Sequence, residues 1–410
     1  MTQPTLTQPK SFWQALNRPI VTLLLLQLMG GMLLSPHFAF FPLYVQELGY
    51  STIVIANLAT AKQIAGLIAS LVGGTLSDSL GRKRTLLLGN MGYLLASCAF
   101  LFASPTWIGV LWTVGGFGLG LHTLGAQSYL MDTAMPSYLG IISALFNWGY
   151  TLGGAIGSPI VGFLLERGDY RFFALTLIAF ALVTIAVNLF VLPRSPVERR
   201  AKAPSLKRFF GYGDVATRPA VLLLAALRFL PTFAYAIMLL LVPLMLNAAQ
   251  ASKTVIAWYA TVSWTTASLA QAVVGQAADR WGAKPVTAAT FTLLLVSIFG
   301  LALWPFSLWL VFLFGTTGLA AAWSLSTLLP TLVSEATVPE ERGRVLGFIH
   351  LWWNLAMVVG SMTGGALFEI AFGLPFWVAG AVNLFSLILL VVFYRRVAFL
   401  RARSAPDTGV

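Results

Sequence analysis

The stretch Gly73–Asn90, GGTLSDSLGRKRTLLLGN, sets one acid and three bases between two long apolar runs. The chain around it is short of charge: 58% of its 410 residues are hydrophobic and 9% are charged, with a mean hydropathy of +0.84. That composition exceeds what a soluble domain can bury and marks a polytopic membrane protein. Crossing a hydrocarbon core roughly 30 Å thick takes about 20 apolar residues. Runs of that kind occupy 19–46, 51–77, 84–103, 107–131, 138–165, 171–192, 219–245, 252–277, 285–304, 306–333, 343–369 and 374–394. Gly73–Asn90 therefore carries the tight connection between the second and third of twelve expected spans. The first run is too long for a signal-peptide core and lacks a small-residue cleavage site, so it is expected to stay as a span. A lone Cys98 allows no intramolecular disulfide and has no Cys partner for a metal, so no cofactor is expected.

The net charge of +12 raises the question of nucleic acid, and the placement of the bases answers it. With the N-terminus in the cytoplasm, the inner side collects Arg82, Lys83 and Arg84, six bases between Arg194 and Arg208, then Arg280, Lys284, Arg342, Arg344 and four arginines after Tyr394. The outer side keeps Arg167, Arg171 and Lys253. This positive-inside asymmetry predicts a multi-pass protein of the plasma (bacterial inner) membrane with both termini cytoplasmic. Acidic lipid headgroups, not nucleic acid, are the expected partners of the excess charge.

The two halves overlay. At a shift of 201 residues, Pro42-Leu43 falls on Pro243-Leu244, Ser51 on Ser252, and Gly74, Asp78 and Gly81 on Gly275, Asp279 and Gly282. Farther on the shift is 203, placing Asp132 on Glu335, Gly162 on Gly365 and Glu166 on Glu369. Six helices have been duplicated, and an even number per half makes the repeats parallel, an arrangement found in transporters. The expected organisation is a cytoplasmic segment 1–18, a six-helix bundle 19–192, a basic cytoplasmic linker 193–218, a second bundle 219–394 and a cytoplasmic tail 395–410.

Gly74, Asp78, Gly81, Arg82, Lys83 and Arg84 reproduce, position by position, the loop signature of the major facilitator superfamily, and the sequence resembles that family over its whole length. The resemblance implies an all-α membrane fold of two pseudo-symmetric six-helix bundles. It also implies a cytoplasmic latch between the halves, drawing on Gly74, Asp78, Gly81, Arg82, Lys83, Arg84, Asp132, Asp279, Arg280, Glu335 and Arg342. Glycines at Gly149, Gly153 and Gly157 resemble the family's antiporter motif, although Ser158 and Phe163 depart from it; close helix packing explains them equally well. Leu111 and Trp112 stand where many proton-coupled relatives carry an Arg, so that coupling role does not transfer.

Two charges remain deep in the spans. Lys62 lies eleven residues past Ser51, about 16 Å along a helix, and Arg228 ten past Arg218, about 15 Å. A midplane charge costs at least about 2.5 kcal/mol on insertion scales, and it is retained by a partner or a wet cavity. No acid lies at that depth. The expectation is that Lys62 and Arg228 face one cavity from opposite halves and hold an anionic group. His37, His122 and His350 are all intramembrane and are the proton-coupling candidates. Further substrate contacts are expected from His37, His122, Tyr235, Asn147, Trp264, Gln271, Trp323 and Asn354.

The sequence thus predicts a monomeric secondary transporter that moves a small organic solute, anionic or zwitterionic, by alternating access, with a proton as a possible coupling ion. The alternative is a proton-coupled exporter of lipophilic drug-like compounds. Enzyme chemistry is not expected, because neither a zinc-protease His-Glu-x-x-His, a Gly-x-Ser-x-Gly nucleophile elbow nor a phosphate-binding Gly-rich loop is present.

Overall fold

A computed structural model describes residues 12–135, 138–195, 213–338 and 341–404. Twelve long helices run in chain order: α1 (Arg18–Glu47), α2 (Thr52–Leu80), α3 (Arg82–Cys98), α4 (Pro105–Thr133), α5 (Leu139–Arg167), α6 (Tyr170–Ala186), α7 (Pro219–Ala248), α8 (Lys253–Trp281), α9 (Ala283–Leu303), α10 (Leu308–Ala336), α11 (Arg342–Ile370) and α12 (Leu374–Ser404). The duplication shows in their bounds. Moving α1 and α2 on by 201 residues gives the limits of α7 and α8, and moving α4 and α5 on by 203 gives those of α10 and α11. Most of the linker falls outside the described residues.

Local chemistry explains the starts and stops. Asn17 Oδ1 accepts the Ile20 amide hydrogen with Pro19 in the first turn, and Asp169 caps α6 through the Phe172 amide. Gly81 and Gly282 are single-residue joints with φ of +90° and +86°. A side chain is strained in that conformation, which is why both halves keep glycine between consecutive helices. Eleven helices are long and apolar enough to cross a membrane. The exception, α8, is rich in Thr, Ser and Gln and spends them inside the bundle: Thr261 donates to the Ala155 carbonyl, Ser263 bonds Thr316, and Gln271 accepts from Thr327. At the other extreme α12 continues to Ser404, ten residues past its expected end, because no Gly or Pro stops it after the membrane run.

Packing within each half is dominated by small residues. Gly153 and Gly157 of α5 sit against the Leu28 and Met32 carbonyls of α1, so this glycine stripe serves close helix approach. Between halves, α5 crosses α8 with Gly162 against Ala257, and α2 crosses α11 with Gly365 against Ala56. Both crossings are copies of one contact, since Gly162 and Gly365, and Ala56 and Ala257, are repeat equivalents.

Polar contacts then seal the face opposite the basic one. Glu369 Oε1 accepts from the Thr52 amide at 2.5 Å and from the Ile53 amide at 3.3 Å, while Glu166 accepts from Thr254. Lys253 pairs with Glu47 at 3.1 Å, and Asn247 donates to Gln46 at 3.1 Å. Every one of these bonds joins one half to the other.

Candidate functional site

Between the halves lies a cavity of about 710 Å³. Its walls are the midplane-to-basic-end stretches of α2 (Lys62 to Leu71), α4 (Gly116 to Gln127) and α11 (Leu346 to Asn354), with Phe38, Tyr93, Tyr150 and Arg228 closing the deep end. It therefore opens toward the basic face, and the structure is closed on the other side.

Lys62 and Arg228 both line this cavity, one from each half. Lys62 is 5% exposed, and its Nζ lies 3.9 Å from the centre of the Trp112 ring and 4.5 Å from that of Phe38. Room for it comes from Gly116, where a Cβ would stand 2.6 Å from Lys62 Cγ. Arg228 donates from Nη1 to Ser326 Oγ at 2.5 Å and faces the Trp353 ring at 6.0 Å. His350 stacks on the same ring at 5.3 Å and also lines the cavity. Among the described residues the lining holds no Asp or Glu, and Lys62 and Arg228 are the cations that it brings together.

The other expected contacts divide. Asn354 lines the cavity, with its amide donating to the His350 carbonyl. Tyr235, Trp264 and Trp323 form an aromatic cluster behind the lining residue Tyr150; Trp264 stands 6.1 Å from Tyr150 and 5.6 Å from Trp323. Gln271 is tied to Thr327 and to its own helix, and Asn147 is exposed; neither is a lining residue.

His122 lies away from the cavity lining. Its Nδ1 donates to Asn90 Oδ1 at 2.8 Å and its Nε2 meets the Gln27 amide at 3.4 Å, so both ring nitrogens are engaged in the buried core of the first half. The same bonds leave it no access to the cavity. His37 is fully buried against Ser97 and lines a smaller pocket instead.

At the basic face the ion pairs seen among the described residues stay within halves. Arg82 Nε pairs with Asp132 at 2.9 Å and Nη1 donates to Ser77, while Lys83 donates to the Leu189 carbonyl. In the second half Glu341, not Glu335, takes Arg218 at 2.5 Å and Arg344 at 3.8 Å. Arg84, Asp279 and Arg280 are exposed, and the side chains of Gly74 and Asp78 lie outside the described residues. Arg342 Nε is buried and unpartnered among the described residues. Glu335 and Arg342, both named for the latch, do not pair with each other among the ion pairs of the described residues.

Sequence reasoning missed Gln63, Ser70, Thr123 and Gln127. The signal was present as stripes at helical spacing: Lys62, Gly66 and Ser70 on α2, and Gly116, Gly120, Thr123 and Gln127 on α4.

Comparison with known proteins agrees with this geometry. The family model described as Major Facilitator Superfamily matches residues 20–250 and 224–409. Quinolone resistance protein NorA of Staphylococcus aureus is 30% identical over 159 residues, which is 36% of this chain and 39% of that protein. Solute carrier family 2, facilitated glucose transporter member 10 of Homo sapiens is 31% identical over 108 residues, 26% of this chain and 20% of that protein. The chain thus aligns with under half the length of these curated relatives. Among solved structures, the nucleoside transporter NupG in mutant form superposes with a TM-score of 0.75 at 14% identity, covering 92% of this chain and 99% of that one. A D-xylose-proton symporter gives 0.74 at 16%, covering 92% and 97%.

Proposed function

The chain belongs to the major facilitator superfamily, and from that premise we propose that it carries a small organic solute bearing an anionic group across the bacterial plasma membrane by alternating access. One observation carries the substrate class: Lys62 and Arg228 line a single cavity from opposite halves, and among the described residues no carboxylate lines it with them. An anion bridging the two would lower the cost of keeping both cations near the midplane. Arg228 offers a planar fork for bidentate bonding and Lys62 a point charge, while Phe38, Tyr150 and Trp353 suit an aromatic or aliphatic body.

Taking the basic face as cytoplasmic, on the positive-inside asymmetry, makes the form with its cavity open to that face the inward-open state. Outward opening then requires the Glu166, Glu369 and Glu47 bonds to part, and the loop Gly74 to Arg84 to meet its counterpart Gly275 to Lys284 and the segment Glu335 to Arg342. His350 is the histidine best placed to exchange a proton with a bound solute, since it lines the cavity beside Arg228's aromatic partner Trp353.

A second reading, export of lipophilic compounds, is favoured by the aromatic lining and by the partial similarity to the quinolone resistance protein. Thermal stabilisation of purified protein by benzoate, phenylacetate, succinate, tetraphenylphosphonium and glucose separates the two. Stabilisation by carboxylates supports anion transport; stabilisation by the lipophilic cation alone refutes it.

A further inference from the structure

The duplicated architecture makes one small void twice, each of about 30 Å³, on the sealed side of the central cavity. Repeat equivalents line the two: Pro42 and Pro243, Ala59 and Ala260, His37 and Met238, Lys62 and Ser263, Gln63 and Trp264. The second-half copy packs with a serine bonded to Thr316, so the fold does not need a cation there. The first-half copy places Lys62, His37 and Trp112 around the void, and each is at least nine-tenths buried.

Three nitrogens on those residues, Lys62 Nζ, Trp112 Nε1 and His37 Nδ1, have no hydrogen-bond partner among the described residues. A buried polar group left unsatisfied has given up its water without a replacement, which is unfavourable. An ammonium and an indole N–H are donors only. Among the described residues no Asp or Glu lines the pocket to receive them.

We infer that this pocket binds a small monovalent anion of halide size, held by the Lys62 ammonium and the Trp112 indole N–H. The volume admits about two water-sized occupants, which fits one such ion and one water and excludes an organic body. His37 fixes where the water goes. Ser97 Oγ gives its hydrogen to the Tyr93 carbonyl and so accepts from His37 Nε2, leaving Nδ1 of the neutral ring as an acceptor. A water between ion and ring satisfies both.

Lys62 lines this pocket and the central cavity alike, so an ion here competes with an anionic solute for the same ammonium. Halide binding itself rests on the pocket alone and does not depend on the proposed solute.

The test is the melting temperature of the purified full chain at fixed ionic strength in sodium gluconate, chloride, bromide or acetate. Chloride and bromide should give a saturable upward shift, on the order of 2 °C at tenfold over half-saturation. Lys62→Ser, which copies the residue of the second half, should abolish the shift, and Arg228→Gln should keep it. Equal melting in gluconate and halide, a shift that persists in Lys62→Ser, or stabilisation by acetate without halide each overturns the assignment. Should Lys62→Ser fail to fold, bromide-soaked crystals of the wild type decide: an anomalous peak beside Lys62 Nζ supports the site, and its absence refutes it.

Discussion

Replacing Glu166 and Glu369 together by Gln tests whether the seal opposite the basic face holds the state in which the cavity opens to the basic face. Glu369 serves as a cap supplied by the other half: Ser51 at the start of α2 makes no side-chain capping bond, and the Thr52 and Ile53 amides turn to Glu369 instead. Gln keeps an acceptor oxygen but removes the charge from a helix N-terminus, an interaction worth about 0.3–1 kcal/mol where solvent reaches it. Glu166 bonds Thr254 in the first turn of α8, the equivalent place, so a similar loss applies there. Two such losses sum to about 1 kcal/mol, a roughly fivefold shift of the inward-to-outward ratio. The assay is labelling of a cysteine placed at Gln46, in a Cys98→Ser background, by a membrane-impermeant maleimide added outside. The labelling rate should rise about fivefold in the double variant. An unchanged rate would show that the carboxylates do not hold the seal.

Three further outcomes follow from single contacts. Gly81→Ala forces a side chain to a φ of +90° and should cost about 1–3 kcal/mol, lowering the melting temperature, whereas Gly73→Ala acts by clash with Leu124 and not by backbone strain. His122→Phe breaks the bonds to Asn90 and Gln27 and should destabilise the first half by about 2 kcal/mol while leaving the pH profile of transport unchanged; an altered profile would restore His122 as a proton site. Gly116→Ala puts a methyl group 2.6 Å from both Lys62 Cγ and the Lys62 backbone carbonyl, so it should force α2 and α4 apart, lowering the melting temperature of the ligand-free protein and weakening anion-induced stabilisation together.

The helices and their duplication were legible because span length and repeat spacing are local properties of the chain. Lys62 and Arg228 were legible because a midplane charge is costly wherever it points. The cavity wall was harder, and α4 shows why. It carries two glycine stripes: Gly115, Gly118 and Gly125 face Gly92, Ala96 and Leu86 of α3, whereas Gly116 and Gly120 face α2 and the cavity. His122 lies on the first stripe, next to Gly118, so sharing a face with small residues pointed it at helix packing and not at solute. Trp264 and Trp323 likewise stand outside the lining, since an inward-facing aromatic can pack one layer behind it. Of the residues expected to form a latch, Arg82 and Asp132 pair with each other inside the first half, and no ion pair among the described residues joins the halves at the basic face, a conformational fact that composition does not carry.

The central claim is that Arg228 holds the anionic group of the solute. Its most direct test is the dissociation constant of the best-stabilising carboxylate for wild type and for Arg228→Gln, measured by calorimetry on purified protein. Loss of a hydrogen-bonded charge contact worth about 1.5–3 kcal/mol predicts binding weaker by roughly 10- to 150-fold. Affinity that stays within twofold of wild type would contradict the account.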